Sequence, residues 1–129
     1  MELRDLGSER YLSITTFKRD GTPVSTPVWV VAEGDGLLVW TGAKTWKAKR
    51  IRRDAHVQVA ACSARGAVRG PSLDATATVL EETANVERLL LAKYPVGYRL
   101  LRFANTAVRL VRRRPPGRSV TIALAPAAG

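Results

Sequence analysis

Between residues 11 and 17, Leu12, Ile14 and Thr16 alternate with Tyr11, Ser13, Thr15 and Phe17, the period of a half-buried strand. Arg19-Asp20-Gly21-Thr22 follows, and Asp-Gly between apolar runs signals a tight hairpin. A second strand is expected from Val24 to Ala32. Pro23 and Pro27 place it at an edge or a bulge, because proline cannot donate to a ladder. Glu33-Gly34-Asp35-Gly36 is another turn, and Leu37 to Thr41 the next strand. Residues 45–53 then change period. Thr45 stands at a helix N-cap, with Ala48 and Ile51 on the inner side and Asp54-Ala55 at the end. His56 to Cys62 reads as a strand, 63–71 as a loop or an irregular strand start, and Leu73 to Leu80 as a strand of regular alternation.

Val86, Leu89, Leu90 and Lys93 follow helical spacing, which predicts a helix from Ala84 to Tyr94, capped by Thr83 and ended by Pro95 and Gly97. Residues 98–114 also read as helical, with Asn105-Thr106 a candidate break, stopped by Pro115-Pro116-Gly117. Ser119 to Leu124 is the last strand, and Ala125 to Gly129 reads as a loose tail. Short strands joined by tight turns predict a mainly β fold with short helices, an antiparallel barrel plugged at its side. The 129 residues suit a single domain over 1–129.

Charge changes the picture. The net charge is +10, and nine Lys or Arg residues but no acidic residue follow Glu87. Anionic partners are implied: nucleic acid, lipid headgroups, or a phosphorylated or polycarboxylated small molecule. No apolar run approaches the roughly 20 residues of a membrane span. No basic-then-apolar leader is visible, and one cysteine cannot form an intrachain disulfide. A cytoplasmic protein is the expectation.

The chemistry-bearing residues are few. With one histidine, His56, and one cysteine, Cys62, a His/Cys metal cluster is excluded. His56 is also the sole candidate for a Ser-His-Asp triad. Neither common glycine-rich nucleotide loop occurs, and the eleven carboxylates form no recognisable acid/base pair. The positive signal is Lys44 together with Thr45 to Arg53, which holds Lys47, Lys49, Arg50, Arg52 and Arg53. Helix-start N–H groups and cations one turn apart suit a phosphate. Lys47 and Arg50 share one helix face, and Lys49, Arg52 and Arg53 another. Thr45 can both cap the helix and donate to a phosphate oxygen. Trp29, Trp40 and Trp46 surround the region, as barrel wall or as a flat face for an aromatic ring.

In order, Thr26-Pro27-Val28-Trp29-Val30, Leu37-x-Val39-Trp40-Thr41-Gly42-Ala43, Thr45-x-Lys47-x-Lys49-Arg50-x-Arg52-Arg53-Asp54 and Val57-x-Val59-Ala60-x-Cys62 resemble one superfamily. It is the split β-barrel flavin and deazaflavin oxidoreductases, the clan of pyridoxamine 5'-phosphate oxidase. The nearest likeness is to the coenzyme F420-dependent B-type subgroup. The likeness is good over residues 10–82 and thinner beyond. It implies a six-stranded antiparallel split β-barrel, paired as a homodimer with two cofactor sites at the interface. It implies a phosphate turn at Thr41, Thr45, Lys47, Lys49 and Arg50, and a ring wall at Pro27, Val28 and Trp29. Ala61 and Cys62 are implied to pass the ring's polar edge. The subgroup often has a small residue where this chain has Trp46, which can stack on the cofactor, cover the phosphate or narrow the site.

The implied activity is hydride transfer from reduced coenzyme F420 to a small unsaturated or quinone-like acceptor. Alternatives are an FMN enzyme of the same fold, a deazaflavin carrier without catalysis, and a basic nucleic-acid-binding module. The absence of a helix-turn-helix or RNA-binding signature argues against the last.

Overall fold

The computed structural model describes residues 2–95, 100 and 119–127. Apart from Leu100, the helix expected over 98–114 lies outside the described residues, as do Gly97 and the Pro115-Pro116-Gly117 stop. The elements are a 3-10 turn over Leu3–Ser8, then β1 Tyr11–Phe17, β2 Pro23–Val28, β3 Val31–Glu33, β4 Gly36–Gly42, α1 Trp46–Arg53, β5 His56–Cys62, β6 Leu73–Leu80, α2 Ala84–Lys93 and β7 Ser119–Pro126. One antiparallel sheet runs in the order β2-β1-β5-β6-β7-β4-β3.

The sheet has seven strands, one more than expected, for a physical reason. The single run expected from Val24 to Ala32 is divided at Trp29-Val30. Its first part pairs with β1 and its second with β4, at opposite ends of the sheet. Val28 and Val31 are three peptide steps apart, so those two edges lie within about 11 Å of one another. A seven-stranded sheet whose edges are that close must curl into a barrel. Both prolines fall on β2, an edge strand, as their missing N–H groups require.

The turns follow local chemistry. Gly21 has φ +88°, the Thr22 N–H donates to Asp20 Oδ1 at 2.9 Å, and the Lys18 N–H donates to the Thr22 carbonyl. At Gly36 a side chain is impossible, because a Cβ would lie 2.2 Å from the Leu124 carbonyl oxygen. Ala125 and Pro126, expected in a loose tail, continue β7 and pair with Thr76 and Ala75.

Inside the barrel, Leu12, Ile14, Val39, Val57, Val59, Ala75 and Ile122 form one core with Leu3 and Leu6 of the 3-10 turn. That turn carries no strong sequence signal and was not expected; its two leucines plug the barrel. Each Leu, Ile or Val among them contributes about 1.5–3 kcal/mol by leaving water. A second cluster lies outside the barrel, where α2 lays Val86 and Leu90 on Val31 and Leu38, with Trp29 and Trp40 against it. Thr83 does not cap α2 with its side chain. The Ala84 N–H donates instead to Glu82 Oε1. Among the described residues no helix is long and apolar enough to cross a membrane.

The end of α2 seals the seam between β2 and β3. Lys93 Nζ donates to the carbonyls of Gly7 (2.7 Å), Glu9 (2.6 Å) and Val30 (2.6 Å). Three donors meet three acceptors. The Tyr94 hydroxyl donates to the Arg10 carbonyl at 2.7 Å and accepts from the Val30 N–H at 3.5 Å, and its ring stacks on Trp29 at 4.8 Å. Removing the ammonium leaves three carbonyls without their donor, and hydrogen bonds to charged groups are worth about 1.5–3 kcal/mol each. Lys93→Met is therefore expected to lower unfolding stability by about 2 kcal/mol or more, and Tyr94→Phe by about 1 kcal/mol. Urea denaturation with an unchanged slope checks both; parental midpoints would show that the seam holds without them.

Candidate functional site

α1 begins where β4 ends. The Thr45 hydroxyl accepts from the Ala48 N–H at 3.2 Å and donates to the Gly42 carbonyl at 2.9 Å. The expected N-cap is present. Its one proton is engaged inside the turn, so the second role expected of Thr45, donation to a phosphate oxygen, is not available in this geometry. What faces outward is the backbone: the N–H groups of Trp46 and Lys47 begin the helix and have no intrahelical acceptor.

Lys47 turns back toward β4. Its Nζ lies 3.4 Å from Thr41 Oγ1, a long hydrogen bond, and burial pulls its pKa below the ordinary lysine value. A cavity of about 300 Å³ opens here, lined by Thr16, Val24, Thr26, Thr45, Trp46, Lys47 and Arg50. The sharing of one face by Lys47 and Arg50 is as expected. Thr16, Val24 and Thr26 are additions. The turn alone does not reveal them: counting outward from a two-residue Asp20-Gly21 turn pairs Thr16 with Ser25, whereas the loop is Arg19-Asp20-Gly21, closed by Lys18 and Thr22, and pairs Thr16 with Val24.

The remaining cations of α1 divide differently from expectation. Arg52 donates to the Ala43 carbonyl at 3.1 Å and lies 3.7 Å from Glu81, while Arg53 donates to the Phe17 carbonyl. Both tie the helix to the barrel. Arg50, Arg52 and Arg53 occupy the last turn, where positive charge complements the helix dipole; Lys47 opposes it near the start. Lys49 faces away from the Lys47 cavity, with Nζ 4.8 Å from the centroid of the exposed Trp46 ring.

Along β2 a second cavity, of about 320 Å³, is lined by Tyr11, Pro27, Val28, Trp29, Trp40, Ala64 and Leu90. The expected ring-wall residues do lie together, joined by Tyr11 and Trp40. Val24 lines the first cavity and Val28 the second, and β2 covers about 13 Å between them. Val28 also packs against the barrel core opposite Leu12, so a bulky substitution there disturbs packing as well as the cavity.

Ala61 and Cys62 are not brought to either cavity. Ala61 points into the core, and Cys62 is buried where Val68 bridges back to it. The loop 63–71 folds over this strand end, with Ser63 Oγ accepting from Arg65 and Ala67 and the Arg69 N–H donating to the Ala61 carbonyl. Burial raises the Cys62 thiol above its ordinary value, opposed by Arg69. His56 stacks on Phe17 and sits 2.9 Å from Asp74 Oδ1. It begins β5, while Cys62, at the far end, pairs with Tyr11. Six strand steps, about 20 Å, separate His56 from the apolar cavity. Among the described residues no group of three or more His, Cys, Asp or Glu is placed to hold a metal ion.

Comparison with known proteins agrees with this architecture. The model of the pyridoxamine 5'-phosphate oxidase family matches residues 2–121. The chain belongs to this family. The conserved hypothetical protein Rv2991 of Mycobacterium tuberculosis superposes with a TM-score of 0.64 at 21% identity, over 95% of this chain and 76% of that one. A structure named F420 reductase gives 0.61 at 17% identity, over 99% and 95%. HutZ, a heme storage protein of Vibrio cholerae, gives 0.67 at 14% identity, over 100% and 93%. No curated protein matches the chain. At these identities the neighbours establish the split-barrel fold, shared by proteins with different named roles.

The donor set fits a phosphate: two outward N–H groups, and a partly buried ammonium with one long hydrogen bond. A bound anion favours charged Lys47, so the complex has the higher lysine pKa. Affinity is then full below the free-protein value and falls as pH rises through it, by up to about tenfold per unit. Because burial lowers that free value, the alkaline fall in affinity for a phosphate-bearing ligand, with FMN and coenzyme F420 as the probes, is expected to begin below the ordinary lysine range. Lys47→Arg is expected to remove it. Fluorescence titration across alkaline pH checks this; identical profiles for parent and variant would detach the anion from Lys47.

Proposed function

We propose that this protein is an oxidoreductase that binds a phosphorylated flavin-type cofactor along β2, and that the cofactor is coenzyme F420. Family membership supports the flavin-type class. One observation carries the assignment of the phosphate end. Lys93, the other partly buried lysine with a lowered pKa, has all three donors on carbonyls, whereas Lys47 has a single 3.4 Å contact with Thr41 and faces a cavity at a helix start. Thr41, Lys47, Arg50 and the N–H groups of Trp46 and Lys47 would hold the phosphate. Pro27, Val28, Trp29 and Trp40 form the apolar wall about 13 Å away along the strand. The basic surface and the F420 reductase neighbour favour the more anionic deazaflavin over FMN.

When bound in reduced form, the cofactor supplies a hydride, chemistry it carries itself. The protein's part is positioning. Lys47 and the helix start fix one end of the ligand. The wall excludes water and leaves room for a small unsaturated acceptor in the cavity. Among the described residues lining that cavity Tyr11 is the one with an acidic proton, so its hydroxyl can stand beside the acceptor. A homodimer covering the open side of both cavities belongs to this reading. The exposed apolar side chains of Val68 and Leu80 support it. A monomeric mass in light scattering at micromolar concentration would count against it.

Titration with coenzyme F420 beside FMN is the direct test. The deazaflavin is expected to bind more tightly, and Lys47→Ala to weaken it by more than about 1 kcal/mol, since a charge-assisted hydrogen bond is lost. Tighter FMN binding, with a yellow purified protein, would move the assignment to the flavin enzyme. Binding of the deazaflavin without turnover of any quinone or enone would make the protein a carrier.

Neither lone reactive residue is expected to matter. His56→Ala and Cys62→Ser should each retain turnover within about threefold, because one group is about 20 Å from the wall and the other is sealed beneath a loop. Steady-state oxidation of reduced coenzyme F420 reads this. A thousandfold loss in His56→Ala with intact binding would reveal a side-chain acid in the reaction.

A further inference from the structure

On the other side of α1 lies a larger groove, about 660 Å³, lined by Lys18, Arg19, Trp46, Lys49, Arg50 and Arg53. Among the described residues six line it, five of them cationic and none acidic. Two carboxylates adjoin lining residues in sequence, Asp20 beside Arg19 and Asp54 beside Arg53; Asp20 accepts from the Thr22 N–H, which lowers its pKa, and Asp54 accepts from the His56 N–H at 3.1 Å. Five like charges around one groove repel one another, and nothing in its lining neutralises them. Trp46 stands at the rim, 69% exposed, with Lys49 Nζ and the Arg50 guanidinium over its ring at 4.8 and 5.9 Å. Only Trp46 and Arg50 are shared with the Lys47 cavity. Lys18 and Arg19 come from the β1–β2 turn, remote from the cofactor wall.

We propose that this groove binds single-stranded nucleic acid, its cations against successive phosphates and Trp46 against a base. The charge alone would suit any extended polyanion. The indole decides between them. A polycarboxylate has no use for an exposed aromatic face, whereas a strand offers a planar ring beside each phosphate. Arg50 and Lys49, lying over the same ring, would reach the phosphates flanking a stacked base. The site needs no helix-turn-helix, because it reads backbone charge and base faces rather than sequence. Lys18, Arg19, Lys49 and Arg53 stand outside the proposed cofactor site, while Trp46 and Arg50 are common to both.

The probe is a fluorescein-labelled twelve-nucleotide thymidine strand, followed by anisotropy from 50 to 300 mM salt. Binding at low salt is expected, with a log–log slope of about −0.7 for each phosphate neutralised. The double variant Lys18→Ala/Arg19→Ala is expected to melt like the parent, bind at least tenfold more weakly and lose about 1.4 from the slope, two contacts at about 0.7 each. Trp46→Ala should weaken binding about tenfold with the slope unchanged, which a purely electrostatic surface would not show. Lys47→Ala should bind the strand within twofold of the parent. No binding at 50 mM salt overturns the proposal. So do equal losses in Lys47→Ala and the double variant, which would mean diffuse attraction by net charge. Displacement of the strand by an oligoglutamate peptide at equal charge concentration, with Trp46→Ala silent, overturns it in favour of a carboxylate-binding groove.

Discussion

Everything in this barrel depends on the two residues that join its edges. Trp29 and Val30 connect β2 to β3, and these strands are the opposite ends of the sheet. A backbone that leaves one ladder before entering another has unpaired N–H and C=O groups, and Val30 is fully buried. Lys93 and Tyr94 satisfy those of Val30. The three-carbonyl grip of Lys93 also reaches Gly7 and Glu9, so the 3-10 turn that plugs the barrel and the seam that closes it are held by one side chain. Trp29, stacked on Tyr94, takes its orientation from the same place. The proposed ring wall is thus built on the seam, and its shape is inherited from the closure of the sheet.

The two partly buried lysines show how the same residue serves stability or binding according to its acceptors. Burial disfavours the charge of both. At Lys93 three carbonyls, with Glu9 nearby, offset that penalty within the fold. At Lys47 one long contact with a hydroxyl does not. A partly desolvated ammonium with spare donors beside outward helix N–H groups is a site that an anion completes. The rest of α1 reinforces the distinction. Arg52 and Arg53 pin it to the barrel and sit where the dipole welcomes them, whereas Lys47 opposes the dipole and has its charge disfavoured by burial.

Local physics made much of this readable in the sequence. Asp20-Gly21, Pro23 and Pro27, the Thr45 cap and the alternation from Leu73 onward each act within a few residues, and each appears where expected. What escaped the sequence acts over distance. The division of β2 from β3 leaves no local mark, because Val24 to Ala32 reads as one continuous extended run; only competition between two partner strands breaks it. The plug of Leu3 and Leu6 is likewise visible only once a barrel exists to receive it. At the site, Lys47, Arg50 and the Pro27 to Trp29 wall follow from the order of motifs. Ala61 and Cys62 do not reach it, because residues 63–71 fold back over the end of β5. Nor does helical spacing alone show that Arg52 and Arg53 are engaged by backbone carbonyls.

This protein keeps its single histidine and its buried cysteine away from both cavities. Its resources go into geometry: a rigid strand edge, a cation at one end, an apolar wall at the other. That division suits a cofactor which brings its own reactivity, because the barrel then needs only to hold a ligand of the right length and keep water from its reactive end. It also explains why so short a helix can serve two surfaces. α1 is eight residues long and is anchored at its start by Thr45 and at its end by Arg52 and Arg53. With both ends fixed, its two sides present Lys47 and Lys49 in opposite directions at no further conformational cost.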